Sequence, residues 1–266
     1  MQENILLIGL GAIGLEVTRQ LKNDASSKIR QIIVKPGREA EAQAKVSRSI
    51  KVISKIENVD PKPDFVLECA GHQAVSQFGP YFLENGIDLG VISIGAFSDP
   101  KLFKRLQESS RKGDSQLSII PGSIGGLDAL SAARSDGLEK VDYLSRKPPL
   151  SWVDTPAEKL FDLATIDEEV IIFNGDARRA SKLYPKNANV ASSIALAGIG
   201  FDKTQVILMA DPKAKGNVHH IRATGKFGEL DIRIVGSPMP QNPKTSALTA
   251  LSAIREIRNR CHHIKT

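Results

Sequence analysis

The sequence predicts an α/β protein whose first half is built on a parallel sheet. Three observations carry that prediction. Short continuous apolar runs recur through the first 120 residues. Segments with helical spacing alternate with them. The first run passes directly into a glycine-rich turn.

Taken in order, Ile5-Leu6-Leu7-Ile8 suits a strand buried on both faces. The turn Gly9–Gly14 follows, and Leu15, Val17, Thr18 and Leu21 give one face of a helix ending near Asn23. Ile29–Val34 reads as the second strand, Ala40–Ala44 as a helix and Lys51–Ile53 as a short third strand. Beyond the turn Pro61–Asp64, Phe65–Cys69 is another buried strand, and Gln73–Asn85 is a helix expected to be interrupted at Pro80. Gly90–Gly95, the charged helix Pro100–Lys112 and the strand Leu117–Ile120 complete the alternation.

The second half has a different rhythm. Helices are predicted over Gly125–Ser135 and Asn189–Gly200, and strands over Val141–Ser145, Val170–Phe173, Thr204–Ala210 and Val218–Thr224. Gly228–Val235 alternates Leu230, Ile232 and Ile234 against Asp231 and Arg233, the pattern of an antiparallel strand with one polar face. Leu248, Leu251, Ile254 and Ile257 place a final helix over Thr245–Arg260, with basic residues at its C-terminal end.

Composition narrows the function classes. The 266 residues are 41% hydrophobic and 25% charged, ordinary values for a globular protein. No apolar run approaches the roughly 20 residues that span a bilayer, and the N-terminus lacks the signature of a secretory signal. Two distant cysteines, Cys69 and Cys261, make no disulfide framework, so the expected compartment is cytoplasmic. The net charge of +6 is spread along the chain and aromatics are only 5%, which argues against nucleic acid and for small anions such as phosphates and carboxylates.

Gly9-Leu10-Gly11-Ala12-Ile13-Gly14 is a GxGxxG motif in the context that gives the pattern meaning: after a buried strand and at the opening of a helix. Gly9 allows the tight turn, Gly11 lets a pyrophosphate approach the backbone, and Gly14 lets helix and strand pack closely. Ala12 and Ile13 open the helix whose free N–H groups would face the phosphates. These features predict a Rossmann dinucleotide-binding domain. NAD-selective domains usually carry an acid about 20 residues past the glycines. Here the sequence is Val34-Lys35-Pro36-Gly37-Arg38, so Lys35 and Arg38 are candidates to face a 2′-phosphate, and NADP is expected to be accepted alongside NAD.

Several further blocks are distinctive. They include Phe65–Val75 (FVLECAGHQAV), Ser93–Asp99 (SIGAFSD), Pro121–Leu130 (PGSIGGLDAL), Arg146–Pro149, Tyr184–Ala191 (YPKNANVA), Ala197–Gly200, Asp211-Pro212, Asn217-Val218-His219 and Asn242–Ser246. Together, and in this order, they resemble the L-aspartate dehydrogenase family. The resemblance implies a Rossmann domain over 1–120, an α/β catalytic and dimerisation domain with a mixed sheet over 121–242, and a C-terminal helix over 243–266 packing back on the first domain. It implies a homodimer, a small-molecule substrate and NAD(P)-dependent, reversible oxidation of L-aspartate to oxaloacetate and ammonia through iminoaspartate, a step that can feed nicotinamide cofactor synthesis. By the same resemblance His219 matches the active-site histidine and Asn189 a cofactor-contacting asparagine. Ser123 stands where the family usually has an alanine whose backbone contacts the cofactor. The alternatives are another NAD(P)-dependent reductase of similar architecture, such as a dihydrodipicolinate reductase or homoserine dehydrogenase relative, or a non-catalytic NAD(P) sensor.

The chemistry agrees with that assignment. Hydride transfer belongs to the cofactor, but amine, imine and attacking water each need a proton donor or acceptor near neutral pH. Histidine is the natural choice. His72 follows a strand end and is expected to line the site without catalytic work, while His262 and His263 are expected to be exposed. Adjacent histidines on a strand point to opposite faces, so no metal site is expected from His219-His220. Arg146, Lys147, Lys186 and Lys244 are the candidate cations for substrate carboxylates. Glu68 is expected to be structural, Cys69 a buried small residue, and Asn187 and Asn189 are candidates to cap a helix.

Overall fold

A computed structural model describes residues 2–185, 189–239 and 242–265, without the side chains of Pro243 and Lys244. The chain divides into two compact units, one of residues 1–122 and 249–266 and the other of 123–248.

The first unit begins with β1 (Glu3–Ile8), α1 (Ala12–Gln20), β2 (Ser27–Ile33), α2 (Glu39–Gln43) and β3 (Lys51–Ile53), and continues with β4 (Phe65–Glu68), α3 (His72–Glu84), β5 (Asp88–Val91), α4 (Pro100–Gly113) and β6 (Leu117–Ile119). Its six strands lie in the order β3-β2-β1-β4-β5-β6, and every neighbouring pair is parallel. The continuous apolar runs are explained by that arrangement: Ile5, Leu6, Leu7, Phe65, Val66 and Leu67 are all fully buried because both faces of the central strands are covered. The order reverses between β1 and β4, the switch point at which such sheets open a crevice beyond the carboxyl ends of the strands.

Two local expectations are corrected. α3 runs without a break through Pro80, which is buried within it. The proline removes one ladder bond, and packing of the apolar face holds the remainder. The strand expected over Gly90–Gly95 stops at Val91, and Ile94–Ser98 forms a 3-10 turn, because both the N–H and the hydroxyl of Ser93 are drawn to Glu68.

The second unit contains α5 (Leu127–Arg134), β7 (Leu138–Lys147), β8 (Val170–Asp176), α6 (Ala177–Leu183), α7 (Asn189–Ala197), β9 (Gln205–Ala210), β10 (Asn217–Gly225) and β11 (Gly228–Gly236), then the short pair β12 (Pro238–Met239) and β13 (Asn242–Ser246). Five strands form a mixed sheet in the order β11-β10-β7-β9-β8. β7 and β9 are parallel and the other pairs antiparallel.

The last helix, α8 (Ala247–Cys261), contributes Ala253, Ile254 and Ile257 to the core of the first unit, against Ile5, Leu7, Val17 and Leu21. Its buried stripe is Ala250, Ala253, Ile254 and Ile257, whereas Leu251 is exposed. The two alanines let the helix sit close to its neighbours, a packing that counting only large apolar residues does not reveal. Near its end Arg260 meets Glu3 at 3.1 Å and Asp88 at 2.9 Å, and lies over the Phe65 ring at 4.5 Å. His262 and His263 beyond it are exposed.

Candidate active site

The first unit holds a cavity of about 860 Å³ at the switch point, lined by Gly9, Gly11, Lys35, Arg38, Gly71 and His72 among others. The glycine spacing is dictated by the space around each backbone. Gly9 has φ +99°, and a Cβ there would lie 2.8 Å from the Ala70 Cβ. A Cβ on Gly14 would lie 2.4 Å from the Gly9 carbonyl oxygen and 3.3 Å from the Cys69 sulfur. Gly11 is different: nothing lies within 4 Å of where its Cβ would be. That open space sits at the N-cap of α1, where no side chain caps the helix. An uncapped helix N-terminus beside a bare backbone fits a pyrophosphate. Ala12, Ile13 and Gly14 form the first turn behind it.

The opposite wall is fixed by Glu68. Its buried carboxyl accepts the Ala70 and Gly71 N–H groups at 2.7 Å each, the Ser93 N–H at 3.1 Å and the Ser93 hydroxyl at 2.9 Å. Burial pushes this carboxyl up from its ordinary range, and the backbone donors pull against that. Glu68 thus has the structural role expected of it. Cys69 is half-buried rather than buried, with its thiol turned toward the carbonyls of Ile8 and Gly9.

Beyond the end of β2 the cavity is lined by Lys35, Arg38, Glu41 and Lys45. Glu41 pairs with both Arg38 and Lys45. Lys35 is exposed at the end of the second strand. Three cations face one carboxylate there, and no acid occupies the position usual for ribose recognition.

In the second unit His219 lies on β10 and is 3% exposed. Its Nδ1 is 2.7 Å from the Tyr143 hydroxyl and its Nε2 is 3.0 Å from the Ser123 hydroxyl. Each hydroxyl can donate or accept, so either neutral tautomer is satisfied in place. Burial, followed by the charge of Lys147, holds His219 down at about 3, and the imidazole is neutral at pH 7. Burial alone brings Lys147 down to about 8, and it raises Tyr143 above the ordinary phenol range.

The sheet explains this cluster. Tyr143, Ser145 and Lys147 occupy alternate positions of β7 and are all buried, and Ser145 lies opposite His219 in the register. His220 points the other way and meets Asp231 at 2.7 Å, as alternation requires. Arg146 likewise alternates away from Lys147 and pairs with Glu169 at 2.7 Å.

Of the residues singled out in the sequence, the structure brings Gly9, Gly11 and Lys35 to one cavity and Ser123 to His219. His72 lines the cavity as expected. Asn189 is the first residue of α7, and its carbonyl accepts the Ser193 hydroxyl at 3.2 Å. Lys186 and Asn187, and the side chain of Lys244, lie outside the described residues. Sequence reasoning missed Tyr143 and assigned Ser123 only a backbone role. The available signal was the period of β7: reading its alternation through to Lys147 places tyrosine, serine and lysine on one face.

Comparison with known proteins places this geometry. Residues 128–260 match a family model described as aspartate dehydrogenase, C-terminal, and residues 9–119 match one described as homoserine dehydrogenase, NAD binding domain. An L-aspartate dehydrogenase of Pseudomonas aeruginosa is 44% identical over 98% of both chains, and one of Cupriavidus taiwanensis is equally similar over the same share. The crystal structure of an aspartate dehydrogenase from Thermotoga maritima superposes with a TM-score of 0.75 at 28% identity, covering 99% of each chain.

Proposed function

The chain belongs to the L-aspartate dehydrogenase family and is an NAD(P)-dependent oxidoreductase, and from that premise we propose that it catalyses the reversible oxidative deamination of L-aspartate to oxaloacetate and ammonia through iminoaspartate. The observation that carries the reading is the buried, neutral His219 held between two hydroxyls. A neutral imidazole takes a proton from the substrate amine or from the water that attacks the imine, and returns it in the reverse direction. Tyr143 at Nδ1 orients the ring, and the Ser123 hydroxyl oxygen can accept a hydrogen bond from Nε2 when that nitrogen carries the proton.

When bound, the nicotinamide dinucleotide supplies the hydride-accepting chemistry. The chain's contribution is to hold it: Gly9, Gly11 and the first turn of α1 for the pyrophosphate, with Lys35 at the ribose. The backbone of Ser123 and the side chain of Asn189 are proposed as further contacts on the strength of the family resemblance. The same resemblance supports a homodimer, which light scattering would read as twice the chain mass, and a supply of iminoaspartate to nicotinamide cofactor synthesis.

The test is reductive amination followed at the reduced-nicotinamide absorbance. Oxidation of the cofactor is expected only when oxaloacetate, ammonia and NADH or NADPH are all present. Binding of NADH without turnover would overturn the reading in favour of a sensor.

The three cations at the ribose end support use of NADP as well as NAD. Lys35→Ala is expected to lower kcat/KM with NADP at least about 10-fold, the loss of one charge-assisted contact, and to leave NAD within about twofold. Equal values with NADP before and after the substitution would remove Lys35 from that role.

A further inference from the structure

Two of the cations that line the cofactor cavity are already engaged by a carboxylate. We propose that Glu41 sets the choice between NAD and NADP by competing with the 2′-phosphate for Arg38 and Lys45. The proposal rests on the cofactor seat described above and names the residue that grades the two cofactors.

The local chain builds the competition. The Arg38 N–H donates to the Lys35 carbonyl at 3.1 Å, closing a tight turn over Pro36-Gly37. Gly37 has φ +83°, a conformation that glycine adopts without strain. Lys35 and Arg38 therefore stand at the two ends of one turn. The chain then enters α2, where the N–H of the buried Ala42 donates to the Arg38 carbonyl at 3.0 Å. Glu41 lies three residues after Arg38 and four before Lys45, so the three side chains share one helical face. Arg38 Nε meets Glu41 Oε2 at 2.5 Å, and Lys45 Nζ meets Oε1 at 2.6 Å. Each oxygen of the carboxylate is thus committed to a different cation. Lys45 first, and then Arg38, hold this carboxyl below its ordinary range, so it is charged at neutral pH. Lys35 is party to neither pair, yet it lines the same cavity as Arg38, Glu41 and Lys45. Glu39, the other acid of α2, is engaged differently, by the Ser54 hydroxyl.

The two cofactors meet this arrangement unequally. A phosphate monoester carries about −1.5 to −2 charge at pH 7, and its oxygens suit a guanidinium. To reach Arg38 and Lys45 it must take the place of the Glu41 carboxylate, which stays nearby as a like charge. A ribose hydroxyl asks for no such exchange, because it donates to a carboxylate that is already paired. The cluster therefore admits both cofactors, and Glu41 tilts the balance toward NAD. The acid missing from the end of the second strand has in this sense a counterpart on the following helix.

Equilibrium titrations of the full-length protein test the proposal without turnover. NADH is compared with NADPH, and AMP with adenosine 2′,5′-bisphosphate, in the wild type, Glu41→Gln and Glu39→Gln. Glu41→Gln is expected to tighten NADPH and the bisphosphate at least about fivefold, the scale of removing one like charge from a doubly charged group near the surface. NADH and AMP should stay within about twofold, which also checks folding. The gain should shrink in 0.5 M salt, and Glu39→Gln should show little of it. Unchanged NADPH affinity in Glu41→Gln, or an equal gain in Glu39→Gln, would overturn the proposal. So would a parallel loss of NADH and NADPH affinity, which would make Glu41 a support of the helix or a holder of the ribose. A wild type that binds neither NADH nor NADPH would remove the cofactor seat and this proposal with it. The expected shift without any aspartate turnover would sink the dehydrogenase reading and leave the role of Glu41 standing.

Discussion

Replacing His219 by asparagine is expected to lower kcat for aspartate oxidation by about 10²–10⁴-fold, the usual contribution of a positioned acid–base group. Asparagine keeps a polar group that can meet the Tyr143 or Ser123 hydroxyl, so the buried cluster is not left without partners. It cannot take a proton. Cofactor affinity should change little, since Gly9, Gly11 and Lys35 line a cavity within the other compact unit and the contact proposed for Ser123 is made by its backbone, not by the hydroxyl that meets His219. The measurement is a comparison of kcat and NADH affinity for the two proteins. A variant retaining more than about a tenth of wild-type kcat would show that proton transfer is carried by another group.

The second large effect separates two glycines of one motif. Gly11→Ala introduces a methyl group into space that no protein atom occupies. The melting temperature should fall by no more than a few degrees, because alanine at an N-cap costs roughly 0.5–1 kcal/mol relative to glycine. Cofactor affinity should fall at least about 10-fold, because the methyl fills the approach of the pyrophosphate. Gly14→Ala places its methyl 2.4 Å from the Gly9 carbonyl oxygen, which is backbone and cannot swing aside. That change should cost about 1–3 kcal/mol of stability through overpacking and disturb the turn as well. Thermal melts beside NADH titrations decide the matter. If Gly11→Ala bound NADH as the wild type does, the cavity would not be the pyrophosphate site.

Much of the first unit was legible in the sequence because its strands are buried on both faces and its turns are marked by glycine. Phe65–Glu68 and Lys51–Ile53 are recognisable from four and three residues, since each is bounded by turn residues. The Pro80 helix and the end of β5 were not legible, because both depend on contacts remote in sequence: packing on α3 and the pull of Glu68 on Ser93. α6 went unread since its seven residues, Ala177–Leu183, carry too few large apolar side chains to show a period. At the candidate site, the glycine motif could be read because its chemistry is local. His219 was reached through resemblance, its environment only through the sheet. Tyr143 is 76 residues away from it, and Ser123 is 96. No local pattern brings three such positions together; the register of β7 and β10 joins Tyr143 to His219, and the segment ahead of α5 brings Ser123 to the other side of the ring.

The return of α8 to the first unit also sets an order in time. A ribosome delivers β1 through β6 early, yet Ala253, Ile254 and Ile257, which close the apolar side of Ile5, Leu7 and Val17, follow only after the whole of the second unit. A nascent chain therefore carries its nucleotide-binding sheet for an interval with an unsealed seam, the sort of surface that recruits chaperones or neighbouring chains. The core around that sheet is therefore closed only after the second unit has been made, although its strands precede that unit in the chain.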